Sequence, residues 1–297
     1  MPHRLVRIIT NPVSGDGLNW PFLNGLVRHL TLRRFTVEVH QTQGPGHAER
    51  LARETPADAR CVVSVGGDGT HSEVFAGLAG RAVPACIVPS GTENVLASAF
   101  RMTGTLRETV GLVQSGRPVP IDVAVANDRP FVIFSGIGFD AAVTRAVHAR
   151  RHGPIARSAY YGPIVRTLVR YPFPALRVVV DGREVASDVG FALVGNVPLY
   201  CDGLRVAARA LADDGLLDVV CYRATSWVRF GILFALTKVG RHLGRPDVAY
   251  ARGRRIQVTA DLQVPVQVDG DARLNTPVTY TLRPRAARLL LPSRGNG

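Results

Sequence analysis

The sequence predicts an α/β protein: an N-terminal domain built on a parallel sheet, followed by an antiparallel, β-sandwich-like C-terminal domain. Two observations lead to this fold class. Over the first 120 residues, short apolar runs alternate with amphipathic segments of about ten residues, which is typical of βαβ units. After residue 120, apolar and polar residues alternate with period two between DG and ND turns, which indicates antiparallel strands. We therefore expect one domain over residues 1–120 and a second over residues 121–283.

The elements of the first domain follow in a regular order. The predicted strands are RLVRIIT, FTVEVHQT, CVVSV and ACIVPS. The predicted helices are FLNGLVRHL, GHAERLARE, HSEVFAGLA, GTENVLASAF and LRETVGLVQSG. Loops rich in glycine or hydroxyl residues follow three strands, beginning at Asn11, Gly66 and Ser90. Because ligands bind beyond the carboxyl ends of parallel strands, we expect these three loops to share one rim.

The second domain is predicted from its period-two runs. These runs are PIDVAVA, RPFVIFSGIGFD, LRVVVDGREV, DVGFALVGN, LLDVVCYRA, RRIQVTA, VPVQVDGDARL and PVTYTLRP. Helical insertions interrupt them over residues 140–170 and 226–243. The second insertion, SWVRFGILFALTKVGRHL, is interpreted as an amphipathic helix that faces the core rather than a membrane.

Composition restricts the function class. The net charge of +13 suits an anionic partner, namely a nucleotide, a nucleic acid or an acidic membrane surface, although high arginine usage alone would also produce it. No recognition helix or aromatic RNA-binding motif is present, so we do not expect nucleic-acid binding. The apolar helical run FGILFAL is far shorter than the ~20 residues of a membrane span, and the N-terminus lacks a signal core. Four widely spaced cysteines indicate buried thiols, so a cytoplasmic protein is expected.

Lys238 is the only lysine in the chain. A Walker A loop and a protein kinase each need a lysine on the nucleotide phosphates. The glycine-bearing segments NPVSGDG and VGGDGTHSEV contain no lysine. Any use of ATP must therefore depend on other groups.

The loop SVGGDGTHSEV has the composition of a phosphate-binding turn. Gly66, Gly67 and Gly69 allow close approach and expose backbone amides where a helix begins. Asp68 would then require Mg²⁺ between itself and the phosphates. The alternative is a tight turn in which Asp68 caps a helix. The neighbouring loops NPVSG and SGTEN add Ser14, Thr92 and Asn94, whose side chains can donate to phosphate or ribose.

Six motifs occur together in order: NPVSG, GGDGTHSEVFAGL, PSGTENVLA, GIGFDA, VGNVPLYCDGLRVAARALADDGLLDV and VQVDGD. With these motifs the chain resembles, over nearly its whole length, the diacylglycerol kinase catalytic-domain superfamily, which includes bacterial lipid kinases and sphingosine kinases. The resemblance implies a nucleotide-binding first domain, a lipid-acceptor second domain and an active site in the cleft between them. It also implies that the tail over residues 284–297 returns to the first domain.

The resemblance also implies site residues. The ATP contacts would be Asn11, Pro12, Ser14, Gly15, Thr42, Gly66, Gly67, Asp68, Gly69, Thr70, Thr92 and Asn94, with Glu73 orienting the loop or its metal. Asp271 stands where the family has a glutamate that acts as general base, and Asp68 would hold Mg²⁺. A structural magnesium site would comprise Asp214 and the carbonyls of Leu211 and Leu216, an oxygen-only set that suits a hard cation. The alternative for this stretch is an exposed DDG turn.

The sequence therefore predicts an ATP- and Mg²⁺-dependent kinase that phosphorylates a hydroxyl of diacylglycerol or a related lipid. Peripheral contact with an anionic membrane, at its inner face, is expected because a bilayer delivers the acceptor. Two alternatives stay open. One is a kinase for a sphingoid base or another polar lipid, and the other is a non-catalytic nucleotide or lipid sensor, suggested by Asp271 in place of glutamate. A homodimer is also left open.

Overall fold

The computed structural model describes residues 4–15, 19–148, 162 and 171–293. Its residues form two compact units, one from residues 4–123 with 284–293 and the other from residues 124–283. The chain passes between the units within strand β5 (Arg117–Ala126) and again within strand β16 (Val278–Leu291). Most of the helical insertion predicted over residues 140–170 lies outside the described residues.

The first unit contains a parallel sheet, as predicted. Its remaining strands are β1 (Leu5–Thr10), β2 (Thr36–Gln41), β3 (Cys61–Gly66) and β4 (Ala85–Pro89). The strand order is β2-β1-β3-β4-β16, and each neighbouring pair is parallel. The helices are α1 (Trp20–Leu32), α2 (His47–Arg53), α3 (Asp68–Leu78), α4 (Val95–Ala99) and α5 (Leu106–Ser115).

Local sequence explains these elements. All six residues of β3 are buried, which is the continuous apolar pattern of a strand covered on both faces. Helix α1 begins after Asn19, whose side chain accepts a hydrogen bond from the Phe22 amide at 3.0 Å. Helix α5 begins after Thr105, whose hydroxyl accepts one from the Glu108 amide at 3.3 Å. Both are side-chain N-caps, which satisfy amides that the helix itself leaves unpaired.

The second unit contains the predicted antiparallel strands. They are β6 (Arg129–Phe131), β7 (Phe134–Ile137), β8 (Leu176–Val180), β9 (Arg183–Val189), β10 (Phe191–Gly195), β11 (Leu217–Tyr222), β12 (Val248–Gly253), β13 (Arg255–Ala260), β14 (Pro265–Val268) and β15 (Asp271–Asn275). One sheet has the order β12-β11-β10-β7-β14-β15, and the other continues from β16 through β13 and β8 to β9. Helices α6 (Phe139–His148) and α7 (Trp227–Lys238) accompany them.

The core of the second unit lies between these sheets. Val178 and Ile256 from one sheet belong to the same buried cluster as Val194 and Val219 from the other. Two inward-facing polar side chains are paired across the core, since the Ser135 hydroxyl lies 2.9 Å from that of Tyr280. Alternating inward-facing apolar residues on both sheets produce the sandwich that the period-two runs predicted.

Helix α7 faces the core with one side only. Leu233 and Thr237 of α7 are buried, as expected of a core-facing helix, while Val228 is 75% and Ile232 53% exposed. The exposed apolar residues on the other side were not predicted. No helix in the described ranges is both long and apolar enough to cross a bilayer.

Candidate active site

Three loops at the carboxyl ends of β1, β3 and β4 touch one another through glycines. A Cβ on Gly15, whose φ is +57°, would lie 2.0 Å from the Ser90 carbonyl oxygen. A Cβ on Gly91 would lie 2.6 Å from the Cα of Gly67. These glycines are therefore required for contact between loops. Gly69 has no described atom within 4 Å of its Cβ position, so it is the glycine of the GGDG turn that faces open space.

The loop after β1 is bonded to helix α3. The Asn11 side-chain amide donates to the Thr70 hydroxyl at 3.1 Å, and the Asn11 backbone amide donates to the Val65 carbonyl at 3.0 Å. Ser14 is buried, and Pro12 lies between Asn11 and Ser14 in the same turn. The predicted residues of the first and second motifs are therefore brought together.

Asp68 is the first residue of α3, and its carboxylate binds a neighbouring helix. One oxygen accepts from the Val95 amide at 2.9 Å, and the other accepts from the Leu96 amide at 3.0 Å. Asp68 therefore caps α4 rather than its own helix. Burial raises the pKa of Asp68, although the amide hydrogen bonds oppose this shift. The Asn94 amide also favours the charged form, so three backbone amides stabilise this carboxylate.

Glu73, also in α3, binds backbone amides at the start of α2, as Asp68 does at the start of α4. Its carboxylate accepts from the Gly46 amide at 2.8 Å and from the Ala48 amide at 3.1 Å, at the beginning of α2. Glu73 thereby fixes the loop after β2, which starts at Thr42, whose amide donates to the Thr10 carbonyl at 2.9 Å. The loop that Glu73 contacts is the one before α2, and its predicted role in orienting the GGDG loop or a metal stays a prediction.

Asn94 closes the third loop upon itself. Its side-chain oxygen accepts from the Gly91 amide at 2.8 Å, and its side-chain nitrogen donates to the Gly91 carbonyl at 2.8 Å. Asn94 adopts a φ of 52°, a left-handed conformation that asparagine tolerates. Thr92 lies within the turn that this pair of hydrogen bonds closes.

The N-terminus of α3 is available for an anion. Gly67 occupies the N-cap position and has no side chain with which to accept from the first amides of the helix. These amides and the helix dipole together favour negative charge. Since the glycine-bearing loops on either side touch this helix start, the arrangement fits a phosphate group.

His71 was not identified from the sequence. It is fully buried in α3, and its Nδ1 lies 2.8 Å from the Ser64 hydroxyl of β3, so the pair fixes the helix against the sheet. Its Nε2 has no partner among the described residues. Burial lowers the pKa of His71 to about 3, which keeps the imidazole neutral.

The burial of neutral His71 predicts that the free energy of unfolding depends on pH. The unfolded chain binds a proton at His71 below its ordinary pKa of 6.5, whereas the folded chain does so only near pH 3. The free energy of unfolding should therefore fall by up to about 1.4 kcal/mol per pH unit as the pH decreases through this window. Urea unfolding of the wild type and His71→Gln between pH 7 and about pH 4 measures the difference in slope. His29→Gln, at an exposed site, is the control, and equal slopes for all three proteins would contradict the assignment.

Asp271 in the second unit is held by two arginines. Arg129 donates to its carboxylate at 3.0 Å, and Arg273 donates at 2.8 Å through Nε and again through Nη2. The side chain of Asp271 is 32% exposed, so the carboxylate remains accessible. Any further donor to this carboxylate would have to share it with these guanidinium groups.

The turn that carries Asp271 rests on buried polar groups. The Asp269 carboxylate accepts from the amides of Val132, Ile133 and Phe134 at 2.9–3.2 Å. The Gly270 amide donates to the Gln267 side chain at 2.8 Å. These contacts join the VQVDGD motif to the residues that closely precede GIGFDA in the chain.

A second set of contacts extends this support to helix α6. Gln267 donates to the Asp140 carboxylate at 2.7 Å, and the Tyr200 hydroxyl also donates to it. Burial raises the pKa of Asp140 despite these hydrogen bonds. The VPLYCDG motif is thereby linked to the same network.

The Asp214 carboxylate of the DDG turn has an arginine partner. Arg252 donates to the Asp214 carboxylate, whose other oxygen accepts from the Leu216 amide at 3.1 Å. The same guanidinium lies 3.2 Å from buried Asp218. The cation site at Asp214 stays a prediction. The Leu211 residue is 56% exposed. Within the described ranges, no cluster of three acidic, histidine or cysteine side chains is arranged to hold a metal.

Two family models match the chain. The model described as the diacylglycerol kinase catalytic domain matches residues 5–126. The model described as the YegS C-terminal NAD kinase beta sandwich-like domain matches residues 134–291.

Individual proteins match along most of their length. A diacylglycerol kinase of Mycobacterium tuberculosis is 30% identical, with 98% of this chain and 96% of the relative covered. A diacylglycerol kinase of Staphylococcus carnosus is 24% identical, with 92% and 90% covered. A solved structure of a diacylglycerol kinase from Bacillus anthracis superposes with a TM-score of 0.73 at 21% identity, with 98% of both chains covered. At that identity the superposition shows a shared fold.

Proposed function

The chain belongs to the diacylglycerol kinase catalytic-domain family, and on this premise we propose that it is an ATP- and Mg²⁺-dependent lipid kinase. The reaction moves the γ-phosphate of ATP to a hydroxyl of diacylglycerol or a related lipid and leaves ADP. The observation that carries the proposal is the uncapped N-terminus of α3, which lies against the glycine-bearing loops and begins with Asp68.

The first unit would bind the phosphates. Phosphoryl transfer requires a positioned γ-phosphate and compensation of its charge, with little covalent chemistry by the protein. The amides at the start of α3 supply fixed donors without a lysine, which is consistent with the lysine-free loops. When bound, Mg²⁺ compensates charge on the phosphate oxygens, and Asp68 is the residue that would hold it. Asn11, Glu73 and Asn94 keep the loops in place through the contacts described above.

The second unit would supply the base. Asp271 is proposed to take the proton from the acceptor hydroxyl as the oxygen attacks phosphorus. An aspartate reaches about one methylene less far than the family glutamate, so its carboxylate depends more on the support of its turn. The contacts of Asp269 and Gln267 provide that support.

One observation favours a second candidate, a non-catalytic nucleotide or lipid sensor. Arg129 and Arg273 occupy acceptor positions on the Asp271 carboxylate, which a free base would keep available for a substrate proton. A sensor would bind ATP without transferring phosphate to any lipid.

Incubation with γ-labelled ATP, Mg²⁺ and a total lipid extract distinguishes these functions. We expect one labelled phospholipid, which mass spectrometry and defined acceptors then identify as a phosphorylated diacylglycerol, sphingoid base or other lipid. Calorimetry on the same preparation measures ATP binding. Binding without label in any lipid would replace the kinase proposal with the sensor.

A further inference from the structure

Helix α7 carries an apolar stripe that the described residues of the second unit leave exposed. Val228, Ile232, Ala235 and Val239 recur at the spacing i, i+4, i+7 and i+11, which puts them on one face of the helix, extended past its end by Val239. Val228 is 75%, Ile232 53% and Val239 67% exposed, and Ala235 is exposed as well. We call these four residues the α7 stripe.

The opposite face of α7 makes the contacts that hold the helix against the unit. Leu233 is buried, and Phe230 packs with Trp227 against Phe139 at ring-centroid distances of 5.0–5.7 Å. The Thr237 hydroxyl lies 3.1 Å from that of Tyr222. These contacts anchor one side of the helix, so the stripe, whose residues are exposed, contributes little to the packing of the unit.

The charges around the stripe are mostly positive. Residues 223–247 contain five arginine or lysine residues and one acidic residue, Asp247, whose carboxylate lies 3.4 Å from Arg229 and 3.5 Å from Arg245. At about 100° per residue, Arg229 and Lys238 lie roughly a quarter turn to either side of the stripe. The Lys238 ammonium lies 5.3 Å from the centre of the Phe234 ring, which is itself 43% exposed.

We infer that the α7 stripe docks on an anionic lipid bilayer, with α7 parallel to the surface. An exposed apolar face flanked by basic residues is the pattern of a helix that lies in a membrane interface. Anionic headgroups complement the flanking cations. A second copy of the chain fits less well, because a two-fold contact of identical faces would place these cations opposite cations. The inference rests on the proposed function only in that a lipid acceptor resides in a bilayer.

Vesicle flotation with the full-length chain tests this surface. The vesicles contain phosphatidylcholine, alone or mixed with phosphatidylglycerol, and the assay contains neither ATP nor diacylglycerol. We expect the wild type to bind the mixed vesicles and the double variant Val228→Glu/Ile232→Glu to bind them at least about tenfold more weakly. The matched control Leu32→Glu/Leu262→Glu replaces two equally exposed leucines with the same charges, and it should stay within about twofold of the wild type.

Three results would overturn the inference. They are unchanged binding by the stripe variant, an equal loss in the control, and a wild-type dimer that the stripe variant converts to a monomer in sedimentation equilibrium. The urea midpoints of both double variants should match the wild type because all four sites are exposed. If the stripe variant is destabilised, Ile232→Asn alone is compared with Leu262→Asn.

A micelle assay separates this inference from the kinase proposal. Phosphorylation of diacylglycerol in detergent micelles needs no bilayer, so the stripe variant should keep wild-type turnover there. Vesicle binding without any kinase activity would support the docking surface and contradict the proposed kinase function. Kinase activity in micelles without vesicle binding would support the kinase function and contradict the docking surface.

Discussion

Asp68→Asn is expected to lower kcat by about 100- to 1,000-fold, because it removes the carboxylate beside the amides proposed to hold the phosphates. It should also lower the free energy of unfolding by about 1 kcal/mol. The new amide oxygen can still accept from one α4 amide, but the new NH₂ group would face the other, at Val95 or Leu96. Steady-state kinetics with labelled ATP over a range of Mg²⁺ concentrations measures the first effect, and urea unfolding measures the second.

The control for this variant is Asp261→Asn, which makes the same change at an exposed position. It should alter neither kcat nor stability measurably. If Asp68 has only a structural role, Asp68→Asn should lose stability but keep kcat within about tenfold of the wild type at temperatures where the variant is fully folded. That result would remove Asp68 from the metal-binding role and leave it as the cap of α4.

The N-terminal half of the candidate site could be predicted because strand ends and their loops are local features. Asn11, Gly66 and Ser90 each follow an apolar run, and parallel strands place such loops on one rim. The partners within that rim could not be predicted. Asp68 reaches the amides of Val95 and Leu96 only because β3 and β4 are neighbours in a particular register.

Contacts between distant residues account for the remaining differences. The DDG turn contains the residues of a cation site, and nothing near Asp214 in the sequence shows that Arg252 pairs with it from β12. The exposed stripe of α7 was missed for a related reason. The exposed side of α7 is as apolar as the side that packs, so the sequence does not show which one leaves the unit, and only packing against Phe139 and its neighbours reveals it.

Asp271→Asn is expected to lower kcat by about 100- to 10,000-fold, because the asparagine amide cannot take the proton from the lipid hydroxyl. The dissociation constant for ATP should stay within about twofold of the wild type, because the nucleotide contacts are assigned to the first unit. The replacement also removes the negative charge that Arg129 and Arg273 bind at this position, so a loss of activity alone would not separate base catalysis from a changed charge.

Asp271→Glu resolves this ambiguity. Glutamate keeps the charge that both arginines bind and restores the family residue with its longer reach. If Asp271 is the base, the glutamate variant should retain activity within about tenfold of the wild type while the asparagine variant does not. Because Arg129 and Arg273 already bind Asp271, the acceptor hydroxyl must displace one of these contacts to reach the carboxylate. Arg273→Ala, at the more exposed partner, should therefore change kcat without changing ATP binding. An asparagine variant with wild-type turnover would instead show that proton removal does not depend on this carboxylate.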